Sequence, residues 1–568
     1  MDRLHAWAAV RRGRSAGFTA TPEPRTVGAY ARGRQLIAGN FQLAGHLVEG
    51  GTQGIWDLAV PSAAFERAAQ GFGWLDDLAA VADGAARVRA QGWTWEWIER
   101  FGGGRGPGWT PDLTGRRLIR WINNAGLLLA GQDRAASDRY FRSLGQQTLF
   151  LSRRWGAAAP GLPRFEALAG LIHAGLALNG MERLAGPAAK ALARECTTAI
   201  DASGGVASRN PEELLEIFTL LTWSAEALTG AGRALDPRHI AAIERVAPTL
   251  RALRHADGGL ARFHGGGRGV EGRLDQALAG AGVRGLPAPG ATAMGYVRMA
   301  AGRTTVIVDA APPPSGSDSD NAHASTLALE LTSGRRPVVV SCGSGLAFGA
   351  DWHRAGRATP SHSTLGITGF SSSRLANPGL GRRAPGRQLE DAPTEVRMEL
   401  LPDEAGLRFL AGHDGYVPTH GMTHARELHL DREGRRLTGE DTLGALTPAD
   451  RKRFDVLMAR TDQAGIAFDL RFHLHPDVDA ALDMGGAAIS LALKSGEIWV
   501  FRHDGVGTLR LEPSVYLERG RLKPRPTRQI VLSSRVMDYA CQLGWTLAKA
   551  QDTPAAIRDL DRDDTTHF

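Results

Sequence analysis

The stretch Asp318-Ser-Asp-Asn-Ala-His-Ala-Ser-Thr-Leu-Ala-Leu-Glu-Leu331 continues through Val338-Val-Val-Ser-Cys-Gly-Ser-Gly345 to Ser361-His-Ser-Thr364. It reads as two β-strands joined at Ser333-Gly334, with Asn321, His323, Cys342 and His362 at strand starts and ends. Side chains at such positions point into a cleft rather than a core. Outward from this stretch the hydrophobic period differs on the two sides. Upstream, apolar residues recur three and four apart, as in Leu118, Trp121, Ile122, Ala125 and Leu128, which predicts helices with one buried face. Helices are expected over Leu113–Leu129, Ala136–Trp155, Phe165–Leu178, Met181–Ile200, Pro211–Leu228 and Pro237–Arg254. Asn210-Pro211 and Asp236-Pro237 each put a capping side chain before a proline at the first helical position.

Beyond a glycine-rich break at Gly265–Pro289, holding one short helical pattern (Val270–Ala281), the period becomes two. Strands are expected at Tyr296–Ala310, Leu327–Leu331, Pro337–Ser341, Val396–Leu401, Leu407–Leu410, Glu427–Leu430, Ala467–His475, Ala487–Leu493 and Trp499–His503. The predicted architecture is multidomain α and β: a helical domain over residues 1–285, permitting an α/α toroid, and an antiparallel β-sandwich over 290–568.

Composition excludes several classes. Of the 568 residues, 43% are hydrophobic and 22% charged, as in ordinary globular proteins. No apolar run reaches the roughly 18 residues of a membrane helix, so no membrane span is expected. The net charge of +7 comes from dispersed arginine without basic blocks interleaved with aromatics, which argues against nucleic acid as partner. Three scattered cysteines build no disulfide framework. The N-terminus has a short apolar patch followed by arginines, so no export signal is expected and the chain reads as cytoplasmic.

Residue types alone offer three chemical groupings. His323, Cys342 and His362 lie at the edges of neighbouring predicted strands, and imidazole and thiolate are good zinc ligands. Their long spacing also fits packed, hydrogen-bonded residues. Strand alternation puts Arg471, His473 and His475 on one face, where a solvated stripe is the plain alternative. His413-Asp-Gly-Tyr416 and His420-Gly-Met-Thr-His424 form a polar loop whose plain reading is turn residues capping strands.

Taken together, Gly71-Phe-Gly-Trp-Leu, Arg116-Arg-Leu-Ile-Arg-Trp-Ile, Ser203-Gly-Gly-Val-Ala-Ser-Arg-Asn-Pro211, Ser319–Leu331 and His362-Ser-Thr-Leu resemble the heparinase II/III family of polysaccharide lyases. The resemblance implies a toroid packed on a β-sandwich, a cleft between them, and β-elimination on an acidic, uronic-acid polysaccharide or oligosaccharide. It also implies work in the periplasm or cell envelope, and no organic cofactor. Such chemistry needs a poised base and donors that neutralise the uronate carboxylate. The family's toroid tyrosine falls at Glu213 and the histidine after it at Leu214; the first histidine of its H-x-H-x-D falls at Asn321. A rearranged catalytic set is therefore expected: His323, Asn321, Arg209 and Asn210, with Arg209 and Asn210 clamping a carboxylate. Glu213, His413, Tyr416 and His473 are expected to contact substrate or carry protons. Some relatives hold zinc with the histidines at His323 and His362; their aspartate ligand falls at Ser341, beside Cys342. The alternatives are a glycan hydrolase using Glu213, or a non-catalytic glycan-binding or envelope-assembly protein.

Overall fold

The computed structural model describes the chain except residues 13–14, 16, 21, 23, 286–291, 377–387, 519–520, 522 and 551–568. It has an α/α toroid followed by an antiparallel β-sandwich. Chain contacts divide it into two units, one of Met1–Val206, Glu213–Ala247 and Gly272–Arg284, the other of Ala207–Glu212, Pro248–Glu271 and Gly285–Phe568. The expected single boundary at 285–290 is thus replaced by an interleaved one. Two segments read as helical-domain sequence belong to the sandwich unit.

In the first unit helices form where the periodicity predicted them, and five that it did not predict precede them: Asp2–Arg12, Tyr30–Ile37, Ala63–Gln70, Gly73–Val81 and Gly84–Phe101. Pro111–Asn123 buries Leu113, Leu118, Trp121 and Ile122; the expected run to Leu129 breaks at Asn124 and resumes as the short helix Ala125–Leu129. Pro111–Asn123 crosses Leu162–Ala177 at Gly115 and Gly170, where a Cβ on Gly170 would stand 2.4 Å from the Gly115 Cα. Two glycines there let the backbones touch. Five of the tryptophans are core: Trp74, Trp93, Trp97, Trp109 and Trp121 are buried. Their rings meet edge to face, as between Trp97 and Trp121 with centroids 5.5 Å apart. Asp236 caps Pro237–Ala252 by accepting from the Arg238 amide, as its place before proline implied.

In the second unit, one sheet runs Val396–Pro402, Gly406–Tyr416, Met422–Asp431, Arg436–Gly444, Ala540–Lys549, Ile498–His503, Ala488–Leu493 and Val478–Asp483. The other runs Thr508–Tyr516, Arg525–Val536, Ile466–Leu474, Arg336–Val340, Leu329–Ser333, Thr304–Asp309 and Tyr296–Ala301, with Leu365–Ile367 beside Ile466–Leu474. Every pairing is antiparallel. Inward residues of both sheets share one core that includes Phe409, Leu428, Phe468, Leu470, Leu532 and Trp545. The expected strand Tyr296–Ala310 is a hairpin instead, turned at Gly302 with φ +53°. The turn at Ser333-Gly334 forms as read, with Gly334 at φ +55° and Ser333 opposite Arg336.

Candidate functional site

Asp309 ends the strand Thr304–Asp309 with its carboxylate fully buried. A bare charge there would be prohibitive, and three side chains answer it. Arg209 Nη2 donates to Oδ1 at 2.5 Å and Ser325 Oγ to Oδ2 at 2.7 Å, while His264 Nε2 lies 3.4 Å from Oδ2. The Arg209 guanidinium, with its neighbours, holds the Asp309 carboxyl well below the usual range despite burial. Arg209 has no donor to spare. Its Nε donates to Met294 O, Nη1 to Ala311 O and Pro312 O, and Nη2 to Gly295 O as well as Asp309. Its guanidinium also lies over the Tyr296 ring at 4.7 Å, and the Tyr296 hydroxyl donates to Arg209 O. Arg209 therefore ties loops to a strand end; it does not present a fork to a substrate carboxylate.

The backbone around this group is strained. Arg209, His264, Met294 and Leu327 have φ of 51°, 48°, 54° and 62°, left-handed values that cost a non-glycine residue roughly 1–2 kcal/mol each. Leu327 N donates to Asp309 O and Arg209 Nε to Met294 O, so the strain surrounds one carboxylate.

His323 is fully buried beside it. Its Nε2 accepts from the Gly265 amide at 3.0 Å, and its own amide donates to His264 Nδ1 at 3.1 Å. These bonds fix both tautomers: His323 carries its proton on Nδ1, and His264 carries its proton on Nε2, facing Asp309. Burial and the His362 ring push the His323 pKa far down, so it stays neutral. The loop Phe263–Gly267 joins the two segments singled out in the sequence. A Cβ on Gly265 would stand 2.8 Å from Asn321 Cβ, and one on Gly266 would stand 2.5 Å from Asn210 Oδ1. Asn210 Oδ1 also accepts from the Glu212 amide, capping Pro211–Gly230. Asn321 is exposed and Asn210 half-buried, and the half-buried Glu212 carboxylate accepts from the Gly267 amide of the same loop.

The proposed zinc ligands do not gather. Among the described residues no group of three or more His, Cys, Asp and Glu side chains is placed to hold a metal. His323 and His362 rings lie 4.9 Å apart, and His362 Nδ1 meets the Ser341 hydroxyl at 3.1 Å. His323 Nε2 is taken by an amide, so its other nitrogen offers a proton and no lone pair. Cys342 faces elsewhere, towards His473 Nδ1 at 3.4 Å and Ser514 Oγ at 3.8 Å. Burial pushes its thiol up to about 11, which keeps it protonated. These residues do not fit zinc.

The remaining expected residues are dispersed. Glu213 lies in the first unit, on the helix Pro211–Gly230. Tyr416 is buried with its hydroxyl donating to Leu365 O, and burial raises its pKa. His473 is buried rather than on a solvated stripe; it donates from Nε2 to Pro360 O and accepts at Nδ1 from Ser514. Its neighbours divide, with Arg471 on Asp469 and His475 beside Asp477.

His413 and His424 are no turn caps: they stand opposite each other on paired strands and face the core. The Gly415 amide donates to His413 Nδ1, so His413 Nε2 donates to His424 Nδ1 at 3.2 Å and His424 Nε2 to Asp441 Oδ1 at 2.8 Å. Arg426 Nε and Trp545 Nε1 complete the Asp441 shell. Trp545 fits because Gly439 lies opposite it; a Cβ there would come within 2.1 Å of the ring. The relay ends at a backbone amide, so His413 has no proton to deliver. Asp441→Asn, which leaves the buried Arg426 charge uncompensated, is expected to lower stability by about 2–3 kcal/mol in urea unfolding.

Residues 283–546 match the heparinase II/III-like C-terminal family. Over 95% of its length the chain is 34% identical to FtsZ-localized protein C of Caulobacter vibrioides (strain NA1000 / CB15N), covering 91% of that protein. The chain is a member of the heparinase II/III-like family. Solved structures agree in fold: a heparinase III structure (TM-score 0.65, 12% identity, 96% of this chain and 89% of that one) and a mutant of heparan sulfate lyase HepC from Pedobacter heparinus (TM-score 0.58, 13% identity, 97% and 88%). This family member thus carries a polysaccharide-lyase fold. No helix among its described residues is long and apolar enough to cross a membrane. Sequence reasoning missed Asp309, His264 and Tyr296; the signal for His264 was the Gly265-Gly-Gly run, read as a linker when it is a close-packed loop.

Proposed function

We propose that this heparinase II/III-like protein binds a glycan without cleaving it by β-elimination, as a component of envelope assembly at sites of FtsZ. One observation carries the first half: every side-chain N–H of Arg209 is bonded inside the protein. Elimination needs a carboxylate clamp and an accessible base. Arg209 is no clamp, His323 is buried and neutral, and Glu213 and Asn321 stand where the family places tyrosine and histidine. Asn210 and Asn321 are neutral donors and acceptors suited to sugar hydroxyls. The second half rests on the relative named for its localization with FtsZ. A lyase acting on an acidic glycan with a rearranged acid/base set has the support of the fold alone.

The protein is expected to produce no unsaturated uronide, read as new ultraviolet absorbance, from a panel of uronic-acid polysaccharides. Absorbance that rises with protein concentration would restore the lyase reading. A fluorescent fusion is expected to disperse when FtsZ is depleted; a fusion that keeps its pattern would remove the second half.

A further inference from the structure

Away from the Asp309 cluster, a groove of about 760 Å³ crosses the sheet that begins with Val396–Pro402, on the face turned away from the shared core. Strand register builds it. Arg397, Gly412, Ala425 and Thr442 form one row across four strands, each opposite the next, and the small side chains leave a floor close to the backbone. The adjacent row on the same face is Glu399, Leu410, Glu427 and Glu440. Leu446, Thr447 and Asp450, at the start of the helix Pro448–Arg460, also border the groove. We infer that it docks an extended segment of a partner protein carrying two lysine or arginine side chains four residues apart.

Charge decides the class of occupant. The lining holds six carboxylates, Glu395, Glu399, Asp414, Glu427, Glu440 and Asp450, against two guanidiniums, Arg397 and Arg426. Arg426 is buried on Asp441, and Arg397 pairs with Glu395 at 2.6 Å. Among the acids, Glu427 takes both bonds of the Arg408 fork, Asp414 accepts from the Thr394 amide and hydroxyl, and Asp450 accepts from Thr447 and faces Arg453. Glu399 and Glu440 are exposed and make no ion pair or side-chain hydrogen bond among the described residues. Glu440 meets only the field of Arg408, which Glu427 already holds. Such a lining turns away anions and complements cationic side chains.

Span and shape decide the rest. Glu399 stands on the first strand of its row and Glu440 on the fourth, three strand spacings or about 14 Å apart. An extended chain covers that distance in about four residues. Leu410, Ala425 and the exposed Leu446 offer apolar surface to the stems of lysine or arginine, whose heads then reach the carboxylates. Strand pairing fixes the floor, and the capping box of Thr447 and Asp450 fixes the helix start. Preformed walls lower the ordering cost of binding. This docking is independent of glycan binding near Asn321.

The test is fluorescence anisotropy with the full chain at low ionic strength, using dye-labelled heptapeptides of threonine and valine. One carries two lysines four residues apart, one carries them side by side, and one carries glutamines four residues apart; spermidine serves as competitor. The peptide with separated lysines is expected to bind most tightly and the glutamine peptide not to bind. Glu399 and Glu440 are exposed, so Glu399→Gln and Glu440→Gln should fold normally and each weaken binding by about fivefold, the upper end for an exposed ion pair. Sites this far apart act independently, so the double variant is expected to lose about twenty-five-fold. Ala425→Trp, checked for an unchanged melting temperature, fills the floor without changing charge and is expected to remove binding. Equal binding of the glutamine peptide would overturn the charge assignment. Side-by-side lysines binding as tightly, or spermidine displacing the peptide at equimolar concentration, would overturn the extended segment. Full affinity in the double variant or in Ala425→Trp would overturn the site.

Discussion

Replacing Arg209 by alanine is expected to remove about 3–5 kcal/mol of unfolding free energy, the range for breaking a buried ion pair. The loss is large because the change leaves the Asp309 carboxylate buried without its principal counterion and four carbonyls (Met294, Gly295, Ala311 and Pro312) without that donor. Arg209→Lys should recover less than half, since an ammonium has three donors where five N–H groups are used. Urea unfolding of the three proteins measures this. A loss under 1 kcal/mol in Arg209→Ala would show that the guanidinium is not the clamp described here.

Acid is expected to destabilise the protein in two steps, the first beginning near pH 6.5. Burial lowers the pKa of His362 to about 3 and His473 to about 4, and holds His323 and His413 well below the ordinary value. The unfolded chain therefore binds protons that the folded chain refuses, and stability falls as pH drops below about 6.5. Each such histidine contributes about 1.4 kcal/mol per pH unit, so these four remove about 6 kcal/mol at pH 5.5. That is comparable with the whole stability of many domains. The second step has the carboxylate sign. Asp441 and Glu330 are lowered to about 2 by burial-resistant ion pairs, and the stability they supply above about pH 4 disappears as pH falls towards 2. Unfolding free energies equal at pH 7.5 and 5.5 would contradict the buried-histidine account.

Fold class was legible because the hydrophobic period changes from three-and-four to two, and that change survives local error. Less legible were Arg436–Gly444, whose inward positions include Gly439 and Asp441; Thr508–Tyr516, which is mostly exposed or half-buried; and Arg525–Val536, where Ile530, Val531 and Leu532 are buried in succession. The helix Pro448–Arg460 was readable from its capping box, Thr447 with Asp450, and was overlooked. At the candidate site, Asn210, Asn321 and His323 were marked by position and do pack about one loop. Arg209 was marked too, with the wrong partners. An arginine before a capped helix looks the same whether its fork faces solvent or a carboxylate a hundred residues on. Asp309 was hidden at the end of an apolar run, where nothing local distinguishes a buried anion from a turn residue.

The interleaved chain path has a bearing on descent. Arg209 and His264 reach the sandwich unit from segments flanked on both sides by helical-unit sequence. A gene fragment beginning near residue 290 would encode Asp309 without Arg209 or His264. Neither unit is then a cassette that recombination can move alone, and the sandwich and its helical companion are inherited as a single exchangeable block.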